Sequence, residues 1–280
     1  VTYNTNNYFT YNKKFREVHD LEATAGMSYQ DYRFDNSFVS GEDFPVNALK
    51  RLTSAGRITG GSTNGSSRSI LSYFARANYK LNDKYLLSLS GRIDGSSAFG
   101  EDNKYGFFPA ASAGWILSEE NFLSHVKWLS FLKLRGSYGL TGNDAGFGGF
   151  SHLGLWGASK YNNQSGLVPT QLANPELKWE KSAQTDIGID FGLFNNRLTG
   201  EIDYYVRNTR DLIYNVPVPG TSGFTTQTVN IGSMENKGFE FVLNSVNVNS
   251  RNFKWNSSLN LSKNTNKVTK LDGDQTLIPG

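Results

Sequence analysis

The chain has 280 residues, of which 38% are hydrophobic, with a net charge of +3 and no cysteine. This composition excludes disulfides and thiolate metal sites, and the small, scattered positive charge gives no reason to expect nucleic-acid binding. No run approaches the roughly 20 apolar residues of a membrane-spanning helix, which excludes a helical membrane protein but not a barrel of strands.

Alternation of apolar and polar residues predicts about ten β-strands along the chain. It is the only signal in residues 1–68. In residues 69–83 the odd-numbered positions from Leu71 to Leu81 are apolar and the even-numbered ones are polar, with Phe74 as the exception. Successive side chains of a strand point to opposite faces, so such a strand has one apolar and one polar face. The pattern recurs in residues 84–94, 131–140, 182–208, 238–245 and 253–262.

Two segments depart from this pattern. Pro109 lies inside an alternating segment but has no N–H to donate, which predicts a bulge or a strand end there. Residues 118–130 place Phe122, Val126 and Leu129 at roughly helical spacing and predict a short helical turn near 119–129.

Short and long connections between the predicted strands alternate along the chain. The short ones fall near 13–17, 82–83, 195–196 and 249–252, and the long ones near 41–66, 95–104, 142–177 and 209–232. The long ones are rich in Gly, Asn, Ser and Thr, for example at 59–67 and 161–166, and are predicted to be exposed loops. Such an order is typical of an up-and-down barrel in an outer membrane, with tight turns on the periplasmic side and long loops outside. Many predicted strands also reach the roughly nine to eleven residues of a tilted membrane-spanning strand.

The predicted fold class is therefore all-β, an antiparallel up-and-down section of a transmembrane β-barrel. Its apolar face contacts lipid and its polar face borders a wet lumen. We interpret the polar face as an ordinary barrel interior, with a dedicated ligand or ion site as the alternative. The candidate lumen-facing residues are Arg76, Arg92, Arg135, Asp186, Asp190, Glu201, Asp203 and Arg207.

Aromatic residues fall into two groups. Those beside short turns on the apolar face are candidates for an interfacial girdle, namely Tyr79, Tyr85, Phe253 and Trp255. Those in or beside long loops are candidates for contacts with a substrate or a lid, with self-packing inside the loop as the alternative. This second group comprises Trp156, Tyr161, Trp179 and Phe224. No catalytic motif, metal-binding spacing or cofactor motif is present, so we expect neither an enzyme nor a cofactor.

Four stretches resemble the barrel of SusC/RagA-type TonB-dependent outer-membrane transporters. They are "GRIDGSSAFGEDNKYGFFPAASAGWILSEENF" (91–122), "LKLRGSYGLTGN" (132–143), "NPELKWEKSAQTDIGIDFGLFNNRLTGEIDYY" (174–205) and "NKGFEFVLN" (236–244). The resemblance begins near Ser69 and covers most of the chain from there. It implies a 22-stranded barrel with a plug, which imports oligosaccharides, glycans or peptides. It also implies energy supplied through TonB–ExbB–ExbD and a SusD-type lipoprotein lid.

Under this interpretation residues 1–280 form a partial β-barrel domain of the bacterial outer membrane. We expect about ten of the 22 strands, without a signal peptide, plug, TonB box or C-terminal closing strand. Two alternatives remain at this stage. One is a passive outer-membrane channel, and the other is a soluble carbohydrate-binding β-sandwich, in which Ile187 and Leu134 would be buried between two sheets.

Overall fold

The computed structural model of the chain describes residues 1–162 and 164–271. Short 3₁₀ helices cover Leu52–Ser54, Glu101–Asn103, Leu117–Glu119 and Gly220–Ser222. Within the described ranges, no helix is long and apolar enough to span a membrane. The strands are β1 (Thr2–Phe15), β2 (His19–Glu42), β3 (Arg57–Leu81), β4 (Tyr85–Ser96), β5 (Tyr105–Ile116), β6 (Leu129–Asn143), β7 (Leu155–Tyr161), β8 (Gln164–Gln171), β9 (Glu180–Leu193), β10 (Leu198–Arg210), β11 (Ile213–Pro217), β12 (Thr226–Asn230), β13 (Ser233–Asn249) and β14 (Lys254–Lys270).

Ten of these strands form one antiparallel sheet in the order β1-β2-β3-β4-β5-β6-β9-β10-β13-β14. Each of the eight inner strands pairs with the sheet strands before and after it in the chain, so the predicted up-and-down order and the strand number are confirmed. The four remaining strands form two small hairpins, β7–β8 and β11–β12. Both hairpins lie within connections that the sequence predicted as loops without strands.

The strands β2 and β3 extend much further than the sequence predicted, to 24 and 25 residues. The Gly-rich segment 59–67 belongs to β3, and its prediction as a loop is wrong. From Gly60 to Ser67 it pairs with β2 residues from Ser40 back to Arg33. Cross-strand pairing overrides the weak β propensity of such a composition. The alternation disappears there because most side chains on both faces are exposed.

The connections alternate between the two ends of the sheet as predicted. Residues 16–18, 82–84, 117–128, 194–197 and 250–253 join strands at one end, and 43–56, 97–104, 144–179 and 211–232 join them at the other. The tight turns use the left-handed backbone region, as at Asn82 (φ 52°) and Asn196 (φ 58°). Asparagine tolerates that region better than most residues. The segment 117–128 contains one 3₁₀ helix followed by further i→i+3 turns, a tighter form of the predicted helical turn.

Pro109 lies in β5 without a bulge, because its pairing with Gly91 of β4 continues in register. The pairing of β5 with β6 reaches only Ala110, the residue next to the proline. The predicted strand end is therefore found on the β6 side alone. A residue without an N–H is tolerated where the ladder on one side has ended.

Among the residues that the structure describes, no second layer covers the apolar face of the sheet. Ile187 is 62% exposed and Leu87 is 43% exposed, whereas a sandwich would bury both. This exposure rules out the sandwich alternative. Soluble proteins rarely leave so large an apolar surface in water, and lipid is the solvent that suits it. The buried hydrophobic side chains among the described residues are instead Ala98, Phe99, Phe108, Leu177 and Trp179, at the end with the long connections.

Candidate functional site

Three neighbouring strands place Arg135, Gly188 and Asp203 in one row across the polar face. Arg135 of β6 pairs with Gly188 of β9, which pairs with Asp203 of β10. The glycine has no side chain, so the guanidinium crosses over it and its Nη2 donates to Asp203 Oδ2 at 2.7 Å. A Cβ at position 188 would collide with both the guanidinium and the carboxylate. The glycine is therefore needed for the close approach.

Two more aspartates flank this row on the same face of β9. Arg135 Nε donates to Asp190 Oδ1 at 2.8 Å, and Nη1 donates to Asp186 Oδ1 at 3.3 Å. Lys133 Nζ donates to the other oxygen of Asp190 at 3.0 Å. Three aspartates thus share two cations. We call Lys133, Arg135, Asp186, Asp190 and Asp203 the Arg135 cluster.

Glu201, also predicted to face the lumen, lies at the edge of the cluster. Its carboxylate is 4.0 Å from Arg135 Nη2, and its side chain is 58% exposed. The cluster itself is less exposed and links β6, β9 and β10 through side chains as well as backbone. It stiffens the wall and gives the polar face a negative patch.

The three other predicted arginines lie on the polar face outside the cluster. Arg92 donates to Ser72 Oγ at 2.7 Å and to Asp94 Oδ1 at 2.6 Å. Its guanidinium also lies 5.9 Å from the ring centre of Phe74, a cation–π geometry. Phe74, the exception in the β3 alternation, fits on this face because Gly26 is opposite. The remaining two donate to nearby amide oxygens, from Arg76 to Asn78 and from Arg207 to Gln184.

A buried aromatic cluster fixes the long connection 144–179 to the barrel wall. Trp179 packs against Phe99 and Phe108 with ring centres 5.0 and 5.3 Å apart, and Leu177 completes the cluster. The indole Nε1 donates to the backbone oxygen of Lys104 at 2.9 Å. The sequence suggested Trp179 as a surface contact for substrate. The structure buries it to 4% exposure, so for this residue the self-packing alternative holds.

A polar contact fixes the start of the same connection. Asp144 is buried and accepts hydrogen bonds from Arg68 of β3 and from Ser96 Oγ of β4. His152 Nδ1 lies 3.0 Å from the backbone oxygen of Ala98. The connection is therefore attached to the wall at both ends.

Side-chain amides join the connection 211–232 to the connection 144–179. The amide of Asn230 accepts from the backbone N–H of Lys178 at 2.9 Å and donates to its oxygen at 2.7 Å, as a paired strand would. Asn174 donates to the backbone oxygen of Thr228 at 2.8 Å, and Gln227 donates to that of Ala173 at 3.0 Å. The two connections form one assembly at the long-connection end, here called the loop assembly.

The other predicted loop aromatics lie on this assembly. Trp156 is 67% exposed on β7, and Tyr161 is exposed at the end of that strand. Phe224 is half-buried and lines a cavity of about 410 Å³ between the two hairpins. No sequence pattern indicated the other residues around the cavity, because most of them are Thr, Ser, Asn or Gln in long loops and do not stand out.

The predicted girdle residues lie at the end of the sheet with the short turns. Tyr85 O–H and Trp115 Nε1 donate to the same oxygen of Glu120 at 2.6 and 3.0 Å, and the two rings stack. Tyr79 O–H lies 2.6 Å from His19 Nδ1. The other two, Phe253 and Trp255, are exposed beside the β13–β14 turn. Trp115, which is not among the predicted girdle residues, lies on β5 opposite Tyr85.

Glu120 provides a pH-dependent contact in the 117–128 connection, outside the strands. The hydrogen bonds from Tyr85 and Trp115 hold the pKa of its carboxyl below the usual range. Because the pKa of Glu120 is lower in the folded state, its ionised carboxylate stabilises the fold at pH values above the ordinary glutamate pKa. This stabilisation is lost as the pH falls through the folded-state pKa. We expect the full-length protein to denature at lower temperature as the pH falls below about 4. Glu120→Gln should remove this part of the pH dependence, measured by heating to loss of the folded band on gels.

The fold and its sites define a class of protein. A single up-and-down sheet with an uncovered apolar face, a charged opposite face and loops anchored at one end is the wall of a membrane β-barrel. The sequence matches the model of the TonB-dependent receptor-like β-barrel family over residues 1–279, and the chain belongs to that family. The match includes residues 1–68, which the resemblance did not cover. Barrels of this family lie in the outer membrane, as predicted.

Individual relatives agree with this assignment. The chain is 40% identical to a TonB-dependent receptor of Formosa agariphila over 97% of its length, and 41% identical to SusC of Bacteroides thetaiotaomicron over 73%. It superimposes on the solved RagAB peptide importer in the "closed-closed" state with a TM-score of 0.91, at 32% identity and 99% coverage. The resemblance to SusC/RagA-type transporters is thus confirmed. The chain spans 28%, 21% and 31% of these three proteins, less than a third of each.

Proposed function

We propose that the chain forms part of the wall and of the extracellular loops of a TonB-dependent importer of oligosaccharides, glycans or peptides. The observation that carries the proposal is the anchored loop assembly at one end of a sheet whose apolar face is uncovered. Loops fixed to a rigid wall at the outer mouth are suited to hold a nutrient before it enters the lumen. The relatives named SusC and RagAB support import as the activity.

The open edges of the sheet support a larger barrel. Within residues 1–162 and 164–271, β1 and β14 each have a sheet neighbour on one side only. An unpaired backbone amide costs several kcal/mol in lipid, so a membrane sheet has to close on itself. We infer that β1 and β14 pair with further strands in a closed barrel of 22 strands, as the resemblance implies.

The partners follow from the same proposal. A SusD-type lipoprotein would cover the loop assembly from outside, and TonB–ExbB–ExbD would supply energy from the periplasmic side. No described residue of this chain is assigned to the TonB contact. The chain would act in transport and not in catalysis.

The importer and the passive channel differ in their need for energy. We expect cells with the full-length protein to lose uptake of its nutrient when a protonophore collapses the proton gradient, or when TonB is deleted. Binding of the nutrient at the cell surface should persist in both cases. Uptake that continues unchanged under both treatments would favour the passive channel and overturn the importer.

A further inference from the structure

The cavity in the loop assembly has the size and position of a ligand site. Its volume of about 410 Å³ falls within the range of roughly 300–1,000 Å³ typical of small-molecule pockets. It lies between the two hairpins and draws its walls from both long connections. The side chains used below are Phe147, Ser151, Thr170, Asn215, Phe224 and Thr226.

The lining of this cavity carries no charge. All of the described residues around it are apolar, hydroxyl, amide or glycine residues. A second cavity of about 400 Å³, on the polar face of the sheet, is different, since Asp20, Glu22, Lys80, Lys133 and Arg135 contribute to it. A charged group placed in the loop cavity would lose hydration without gaining a counter-charge, which is costly. The loop cavity therefore favours a neutral ligand.

The uncharged groups match the two kinds of surface that a sugar presents. The hydroxyl of Thr226 and the amide of Asn215 can donate and accept hydrogen bonds, as sugar hydroxyls do. The hydroxyls of Ser151 and Thr170 donate to the backbone oxygens of Gly148 and Leu155, so they face a ligand as acceptors. The rings of Phe147 and Phe224 offer apolar surface for the C–H face of a pyranose. Free peptides carry ionised termini, for which this lining has no partner.

Contacts within the protein hold the walls of the cavity in place. Phe147 packs on Phe99 of the buried cluster, with ring centres 5.6 Å apart. Thr228, in the opposite wall, donates to Asn215 Oδ1 at 2.7 Å, and its backbone oxygen is held by Asn174. A site that is already ordered loses little conformational entropy when it binds, which raises the affinity.

We propose that this cavity is an extracellular subsite for a neutral oligosaccharide, with Phe224 stacking on a sugar ring and Thr226 donating to a hydroxyl. The proposal rests on the proposed function, because it selects one nutrient class for the importer. It also places recognition in the wall's own loops, so this chain would contribute to specificity.

The test measures binding to the purified full-length protein in detergent. The probes are a library of neutral oligosaccharides, a matched library containing uronates and a library of short peptides. We expect neutral oligosaccharides to bind, Phe224→Ala to weaken that binding about tenfold and Phe224→Tyr to restore it. Thr226→Val should weaken binding severalfold. Thr221→Val, in the same connection but outside the cavity lining, should leave it unchanged.

Three results would overturn the subsite. They are exclusive binding of peptides or uronates, absence of binding by any neutral probe, and equal affinity in the Phe224→Ala and Thr221→Val variants. Uptake driven by the proton gradient is measured separately in cells that carry the same variants. If uptake depends on the gradient while Phe224→Ala has no effect on binding, the subsite fails and the importer stands. If uptake is independent of the gradient, the importer fails.

Discussion

Replacing Arg135 with methionine is expected to destabilise the full-length barrel by about 3 kcal/mol. The substitution leaves Asp186, Asp190 and Asp203 close together with Lys133 as their one remaining partner in the cluster. Removing one partner from a partly buried ion network is costly because the remaining charges stay partly desolvated. The effect should fall at the lower end of the usual range because these side chains retain some exposure. Urea unfolding of the protein refolded into lipid vesicles measures the loss.

Arg207→Met is the matched control for this change. Arg207 lies on the same face but donates to the neutral amide oxygen of Gln184, so its loss should cost less than about 1 kcal/mol. Adding Asp203→Asn to Arg135→Met should recover part of the stability by removing one unpaired charge. Equal losses for Arg135→Met and Arg207→Met would show that the Arg135 cluster has no special role.

Replacing Trp179 with alanine should detach the loop assembly from the wall. A buried tryptophan contributes about 3–5 kcal/mol when truncated to alanine, and this one also loses its bond to the Lys104 backbone oxygen. We expect the 144–179 connection to become sensitive to added protease while the strands remain protected. The measurement is limited proteolysis of intact cells, followed by mapping of the cleavage sites.

Trp156→Ala provides the control with the same change of residue. Trp156 is exposed on β7, so its removal should leave both stability and protease resistance nearly unchanged. If the two variants resist protease equally, the buried cluster does not hold the loops. The pair therefore separates an anchoring tryptophan from a surface tryptophan.

The strands were predictable because the bilayer and the wet lumen impose a period of two on the sequence. In β9 and β10 this period separates an apolar face from a polar face, and the polar face carries Asp186 and Arg207. Where both faces of a strand have the same exposure, the alternation of apolar and polar residues disappears. The part of β3 from Arg57 to Gly65 is largely exposed on both faces, and its Gly-rich sequence wrongly predicts a loop.

The convergence of charges on Arg135 was not predictable from alternation alone. The period of two assigns a face, but the partners depend on the register between strands that are distant in sequence. Arg135 reaches Asp203 because Gly188 lies between them in the same row. No local sequence pattern indicates that Gly188 lies between Arg135 and Asp203.

The loop assembly was the least predictable part. Its hairpins depend on contacts such as that of Asn230 with Lys178, between residues 52 positions apart. Whether each aromatic residue of the loops is buried or exposed also depends on such contacts. Trp156 and Trp179 both lie within the 144–179 connection, yet one is exposed and the other is buried.

Lipid contact of the apolar face is tested most directly by single cysteines along β9. The chain has no cysteine, so Ile187→Cys and Ile189→Cys can be compared with Gln184→Cys on the opposite face of β9, in a cysteine-free full-length protein in vesicles. A fluorophore at 187 or 189 should be quenched by brominated acyl chains and protected from a water-soluble quencher, with the reverse at 184. Water-soluble quenching at 187 and 189, with no effect of the brominated lipid, would contradict the membrane wall.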